Sequence, residues 1–405
     1  MDFARSTHPG IQAQLDRLQM ISPAGDRLGL ERIFILLDRL GRPQDRLPPL
    51  FHVAGTNGKG STVAILRAAL EGAGQKVHAF TSPHLVRFNE RIRIAGRLID
   101  DRALEALLSE VLDVANGDEP SFFEVATAAA ILAFARTPAD FCLLEVGLGG
   151  RLDATNIIDR PAVSGIASIG IDHQQFLGST IAQIAAEKAA IARAGVPLVA
   201  LAQPPEAEAA IIAAAAAAGA DLRLEGRDWA IDPALVPALP GAHQVRNANL
   251  AWQMLEAQQL AAISRDDFVA SIKRVDWPAR LQRLVRGPLT GGVETWIDGA
   301  HNGDAAAALA RHLAAAGPMH LVLGILANKN SAEIVGLLEP HSLSLTFVAV
   351  PDHDHHDPAT LAKRFGGTAA AGIAEALSRL PAPRLIAGSL YLAGAALAAN
   401  GELPD

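Results

Sequence analysis

FHVAGTNGKGST, residues 51–62, sets an apolar, β-branched run against a glycine-rich turn and a lysine, and a helix-forming segment follows from Val63 to Leu70. A strand that stops at such a turn and restarts as a helix makes a phosphate cradle. The backbone N–H groups of Gly58, Lys59, Gly60 and Ser61 can converge on an anion, the helix dipole adds positive potential, and Lys59 adds a full charge. The loop departs from a strict Walker A box in two places. Val53 stands where the first glycine would be, and Gly60 occupies the position of the hydroxyl that follows the lysine. The reading is a nucleotide phosphate site whose magnesium hydroxyl comes from elsewhere. The competing reading is an ordinary strand-to-helix turn, and three glycines around one lysine argue against it.

Outward from this loop, short apolar strands alternate with helical stretches. Strands are expected at 50–54, 76–80, 140–146, 163–169 and 197–202, then at 294–298, 319–324, 344–350 and 383–388. Helices are expected over 62–73, 122–135, 180–194, 206–219, 303–316, 331–338 and 389–400. This alternation implies an α/β fold with parallel sheets covered on both faces. The segment VDWPARLQRLVRGP (275–288) breaks the periodicity with two prolines and recurrent arginines, as an inter-domain hinge does. Two domains are expected, 1–278 and a smaller 279–405. The alanine-rich EAEAAIIAAAAAAGA (206–220) is too short to span a bilayer and reads as a surface helix packed through Ile211 and Ile212.

Bulk properties narrow the function classes. The chain has 405 residues, half of them hydrophobic, enough for a large core in two domains. A formal charge of −8 gives no electrostatic reason to expect nucleic acid. Cys142 is the single cysteine, which rules out an internal disulfide and fits a reducing cytoplasm. The stretch MDFARSTHPGIQAQL has no apolar run behind a basic segment, so no signal peptide is expected.

Ligands in open α/β sheets bind at the carboxyl ends of strands. Glu145 ends an apolar run there and is placed to hold Mg²⁺, although a salt-bridged glutamate would look the same. Asp172 and His173 end another strand, where a lone histidine is commonly structural. Ser82, in TSPHL, offers the hydroxyl that Gly60 lacks, or a simple turn serine. Lys188, in IAAEKAAIAR, reads on its own as an exposed helix lysine paired with Glu187. In WIDGAHN (296–302), Asp298 suits a ribose and His301 can pack on a nucleotide; Asn247 and Arg280 are further polar residues near the hinge. The three histidines of DHDHHD (352–357) lie between prolines 351 and 358 and read as an exposed loop, with adventitious metal binding or no role.

Taken in order, GTNGKGS, TSPHLVRFNERIRI, FFEVATAAA, LEVGLGGRLDATN, SIGIDHQQFLGSTIAQIAAEKAAI, WPARLQ, IDGAHN and GSLYLAG resemble the folylpolyglutamate synthase/dihydrofolate synthase family of the Mur ligase superfamily. The resemblance covers nearly the whole chain. It implies an N-terminal P-loop, Mur-ligase-like ATP-binding domain, a smaller Rossmann-like C-terminal domain and an active site between them. It places the phosphate loop on Asn57, Gly58, Lys59, Gly60 and Ser61, with nucleotide contacts also at Asn247, Arg280, Asp298 and His301. The resemblance implies two magnesium ions, with ligands at Ser82, Glu145 and His173, and Lys59, Lys188 and His173 as catalytic residues. Lys188 is carbamylated in the family, which replaces the exposed-lysine reading. Pterin-binding positions fall on Leu28, Gly29 and Leu30, on Ser121, Phe122, Phe123 and Glu124, and on Leu152, Asp153 and Ala154.

The implied reaction is ATP-dependent ligation of L-glutamate to dihydropteroate and to the γ-carboxylate of folates through an acyl phosphate, by a cytoplasmic monomer of the bifunctional bacterial type. The chain departs from the family at Pro278–Ala279–Arg280, where PGR is usual, at Asn328–Lys329–Asn330, where DKD is frequent, and at Arg27, where some bifunctional members carry aspartate. The competing functions are a Mur-type ligase acting on a UDP-linked cell-wall precursor and a non-enzymatic nucleotide switch.

Overall fold

The structure, a computed structural model, describes residues 5–21, 28–115, 117 and 119–405; Arg27 lies outside them. The chain divides into two compact units. One runs up to Ala238 and adds Gln244–Val275; the other is Leu239–His243 with Asp276–Asp405.

The first unit is built on the strands β1 (Leu50–Ala54), β2 (Val77–Phe80), β3 (Ile92–Ile94), β4 (Arg97–Leu98), β5 (Phe141–Glu145), β6 (Val163–Ile166), β7 (Pro197–Ala200) and β8 (Asp221–Leu224), in the order β4-β3-β2-β5-β1-β6-β7-β8. β1 is central and wholly buried, paired in parallel with β5 on one side and β6 on the other. From β1 the chain leads to β2 on one side, whereas β6 leads to β7 and β8 on the other, so β1 stands at the topological switch.

Alternate side chains feed two cores. Leu144 packs with Leu37, Leu108, Ile131 and Phe134, while Ile166 and Leu198 pack with Ile184 and Ile211. This two-sided burial explains the unbroken apolar strands. The expectation of purely parallel sheets needs correction at one edge, where β2–β3 and β3–β4 are antiparallel. Only the one-turn 3₁₀ helix Phe88–Arg91 lies between β2 and β3, and Ala95 and Gly96 alone join β3 to β4, so these strands return antiparallel rather than through a crossover helix.

The second unit contains β9 (Gln282–Arg283), β10 (Thr295–Ile297), β11 (Met319–Leu323), β12 (Ser342–Phe347), β13 (Thr368–Ala369) and β14 (Arg384–Ala387), in the order β13-β12-β11-β14-β10-β9. All pairs are parallel except β9 with β10. Leu309, Leu321, Leu323, Ile334, Phe347 and Leu385 form its core.

The alanine-rich helix, Pro205–Ala218, packs differently from expectation. Ala207, Ile211 and Ala215 are buried, and Ile212 is exposed. The buried residues repeat every four positions and share one face, and Ile212 falls about 100° away from it. Among the described residues, no helix is long and apolar enough to cross a membrane.

Candidate active site

Sheet register brings the polar motifs of the first unit together. Val53 pairs with Glu145 and with Gly165, and Phe80 with Leu144, so the loops after β1, β5, β6 and β2 leave the sheet at one edge. After β1, Gly55 (φ 153°) passes so close to Ala167 that a Cβ there would lie 2.9 Å from the alanine methyl. The Thr56 and Asn57 N–H groups then donate to Ser168 O at 2.7 and 3.1 Å. Thr56 Oγ1 donates to Gly170 O at 3.0 Å and accepts from Gly170 N–H at 3.0 Å. The glycine-rich loop is thus moored to the loop that carries Asp172 and His173.

Gly58 (φ 89°) caps the helix Lys59–Gly72. The first intrahelical bond is from Thr62 N–H to Gly58 O at 2.9 Å, so the Lys59, Gly60 and Ser61 N–H groups lie in the helix's open first turn. The Lys59 ammonium donates to Thr56 O at 3.2 Å, folding back over the loop. Asn247, from the helix Ala242–Gln258, crowds the same turn: a Cβ on Gly58 would lie 2.5 Å from Asn247 Oδ1. Asn247 thus lies against the glycine-rich turn within the first unit.

The missing hydroxyl has a candidate replacement nearby. Ser82 N–H donates to Glu145 Oε2 at 3.1 Å, and Glu145 is only 4% exposed. Among the described residues, no cluster of three His, Cys, Asp or Glu side chains is assembled. A hard ion held by a carboxylate, a hydroxyl and nucleotide phosphates needs none, so the pair fits Mg²⁺. His173 is left-handed (φ 51°) and its N–H donates to Asp172 Oδ1 at 2.8 Å, with its side chain 40% exposed.

Lys188, on the helix Ile181–Ala189, is 5% exposed. Burial, reinforced by the Lys59 charge, pushes it down to about 7, against the opposing pull of Asp172, Asp153 and Glu187. The helix reaches this depth because Gly150 has no side chain; a Cβ there would lie 2.5 Å from Glu187 O and 2.8 Å from Lys188 O. Arg151 N–H also donates to Glu187 O at 2.8 Å. Position in sequence alone did not disclose this burial.

The pterin positions divide. Ser121 and Glu124 form a capping box on the helix Phe122–Arg136, and buried Glu124 also takes Arg32 Nε at 3.0 Å and Nη2 at 2.9 Å. Arg32 escaped the sequence reading because its partner lies 92 residues away. It ties the helix Glu31–Arg39, which follows Leu28, Gly29 and half-buried Leu30, to the start of the helix Phe122–Arg136. Phe123 packs over Gly147, and the Arg91 guanidinium lies 5.2 Å from the Phe122 ring centroid. Asp153 is spent on its own loop: it accepts from Leu148 N–H at 2.7 Å and Thr155 N–H at 2.9 Å, and burial raises its carboxyl. Leu152 and Ala154 flank it, Ala154 within the hydrophobic core.

In the second unit, Asp298 follows β10 and its carboxylate accepts from Leu281 N–H at 2.9 Å and Ala300 N–H at 2.8 Å. Burial raises it, and Arg280 opposes the rise. Ala279 and Leu281, flanking Arg280, are both left-handed (φ 57° and 47°), so Ala279 holds a conformation suited to the glycine usual there. Arg280 Nη1 donates to Ala279 O at 2.9 Å, and His301 Nδ1 is 2.8 Å from Gly299 O. The DHDHHD histidines are committed to the backbone: His353 to Pro351 O, His355 to His353 O and His356 to Lys329 O, with His353 also stacked on Tyr391.

No family model matches the chain. It is 37% identical over 309 residues to a dihydrofolate synthase/folylpolyglutamate synthase of Bacillus subtilis, an alignment covering 69% of this chain and 70% of that protein. A solved structure of Escherichia coli FolC in complex with DHPP and ADP shares 28% identity at a TM-score of 0.86, covering 97% of this chain and 98% of that one. The bifunctional folylpolyglutamate synthase/dihydrofolate synthase of Yersinia pestis, complexed with AMPPNP and manganese, shares 27% identity at a TM-score of 0.86, covering 98% and 99%.

Proposed function

Because the chain belongs to the folylpolyglutamate synthase/dihydrofolate synthase family, we propose that the loop edge around β1 carries out its ATP-dependent ligation through an acyl phosphate. The protein is an ATP-dependent ligase that adds L-glutamate to dihydropteroate and to the γ-carboxylate of folates. One observation carries the site assignment: a single sheet edge holds the Gly58–Ser61 turn, the Ser82–Glu145 pair and a buried Lys188 within reach of the Lys59 charge.

A carboxylate is a poor acyl donor because its leaving group would be oxide. The acceptor carboxylate attacks the ATP γ-phosphorus, the bond to the β-phosphate oxygen breaks, and ADP leaves. The glutamate amine then attacks the acyl carbon, phosphate departs, and the amine proton is released. The open-turn N–H groups and Lys59 stabilise charge on the transferring phosphoryl group. Ser82, Glu145 and His173 would hold Mg²⁺, two ions in this proposal. When bound, it supplies positive charge to the triphosphate oxygens. Lys188, partly neutral near pH 7, has the free amine that attacks CO₂ and loses a proton to become a carbamate.

Asn57, Asn247, Arg280, Asp298 and His301 would make further contacts to the nucleotide. Leu28–Leu30, Ser121–Glu124 and Leu152–Ala154 would line the pterin. A boundary at 278/279, a monomer and a cytoplasmic location complete the functional reading; the buried thiol of Cys142 suits a reducing compartment. The test is glutamate-dependent ADP release by the purified protein, with dihydropteroate and tetrahydrofolate offered separately and the products weighed. Turnover with both supports bifunctionality, and turnover only with a UDP-linked precursor overturns the reading.

A further inference from the structure

We propose that Gln244 is a positioning residue for the nucleotide, holding the Asn247 amide against the phosphate loop; this rests on the assignment of that loop to ATP. Residues 244 and 247 are three apart on the helix Ala242–Gln258 and share a face. Both are buried, Gln244 at 1% exposure and Asn247 at 3%. Asn247 Nδ2 donates to Gln244 Oε1 at 2.9 Å. An asparagine amide can present either its donor or its acceptor end. With Nδ2 committed to Gln244, Oδ1 is the end set against Gly58, where a Cβ would lie 2.5 Å away.

Gly58 is demanded twice over, by its left-handed φ of 89° and by this approach. The Asn247 contact is therefore built into the turn that opens the Lys59 helix.

Packing gives no reason for an amide at position 244. The next turns of the helix bury Ala248, Leu250, Ala251 and Met254, whereas position 244 buries an amide. Gln244 keeps Nε2 buried with no hydrogen-bond partner. Leaving a buried donor unmet is unfavourable, and such groups mark places where a ligand or a function supplies the compensation.

Steady-state kinetics on the full chain test the proposal. Gln244→Leu should raise KM for ATP about ten-fold, leaving kcat at saturating ATP and KM for L-glutamate near wild-type. Asn247→Ala should raise KM for ATP by itself, and the double variant should be no worse, because Gln244 acts through Asn247. Gln244→Met, closer in shape to glutamine, carries the same expectation if the leucine variant folds poorly, and thermal melts identify which variants are folded. An unchanged KM for ATP in a folded Gln244 variant, or additive losses in the double variant, overturns this inference alone. A wild-type protein that binds no ATP overturns the functional reading and this inference with it.

Discussion

Ser82 and Glu145, 63 residues apart in sequence, meet where β2 and β5 end: the serine N–H donates to Glu145 Oε2 at 3.1 Å. The contact follows from parallel register, since Phe80 pairs with Leu144 and each strand's next residues emerge side by side. A buried carboxylate and a hydroxyl-bearing residue thus leave the sheet at the same edge as the glycine-rich loop after β1, which has Gly60 in place of a hydroxyl.

Glu145→Gln keeps an oxygen for the Ser82 N–H but removes the negative charge. The expected result is a small change in melting temperature and a rise of about ten-fold or more in the Mg²⁺ needed for half-maximal ADP release. Magnesium titrations of wild type and variant check it; an unchanged requirement removes Glu145 from the metal site.

Lys59→Ala removes a side chain whose own hydrogen bond is to Thr56 O at 3.2 Å. Glutamate-dependent ADP formation should fall on the order of 10²–10³-fold, with the fold intact by circular dichroism. Near-normal turnover would sink the phosphate-loop assignment.

Lys188 should show itself both in activity and in the pH dependence of stability. Its folded value of about 7 lies below the ordinary lysine value of 10.5, so the unfolded chain binds the extra proton between them. The destabilisation from the buried amine is full below about 7 and is relieved as pH rises towards 10.5. In CO₂-free buffer, the melting-temperature advantage of Lys188→Met over wild type should therefore shrink across that window; a constant gap would count against it. Lys188→Ala should be inactive and partly rescued by short carboxylic acids, and wild type should lose activity when bicarbonate is stripped.

Gly150→Ala tests the seating of Lys188. The added methyl would meet Glu187 O at 2.5 Å and Lys188 O at 2.8 Å, both backbone atoms that cannot swing aside. We expect destabilisation of about 1–3 kcal/mol by denaturant titration. Activity should fall further than that loss explains, because the lysine's helix must shift. Wild-type kinetics in the variant would show that the helix position is not critical.

Much of this was legible in the chain. Local chemistry determined the strand ending at Ala54, the glycine turn, the helix behind it and the strand–helix alternation, because backbone geometry and apolar periodicity act over a few residues. The defect at Gly60 also stood in the sequence, as did the motif order that carries the family resemblance. Tertiary structure decided what depends on distant neighbours. The burial of Lys188 within the field of Lys59, the meeting of Ser82 with Glu145, and Arg32 on Glu124 all join segments far apart in the chain. The placement of Asn247 against Gly58 is of the same kind. A lysine's charge state and an amide's direction are properties of surroundings, and those exist only once the sheet has set its register.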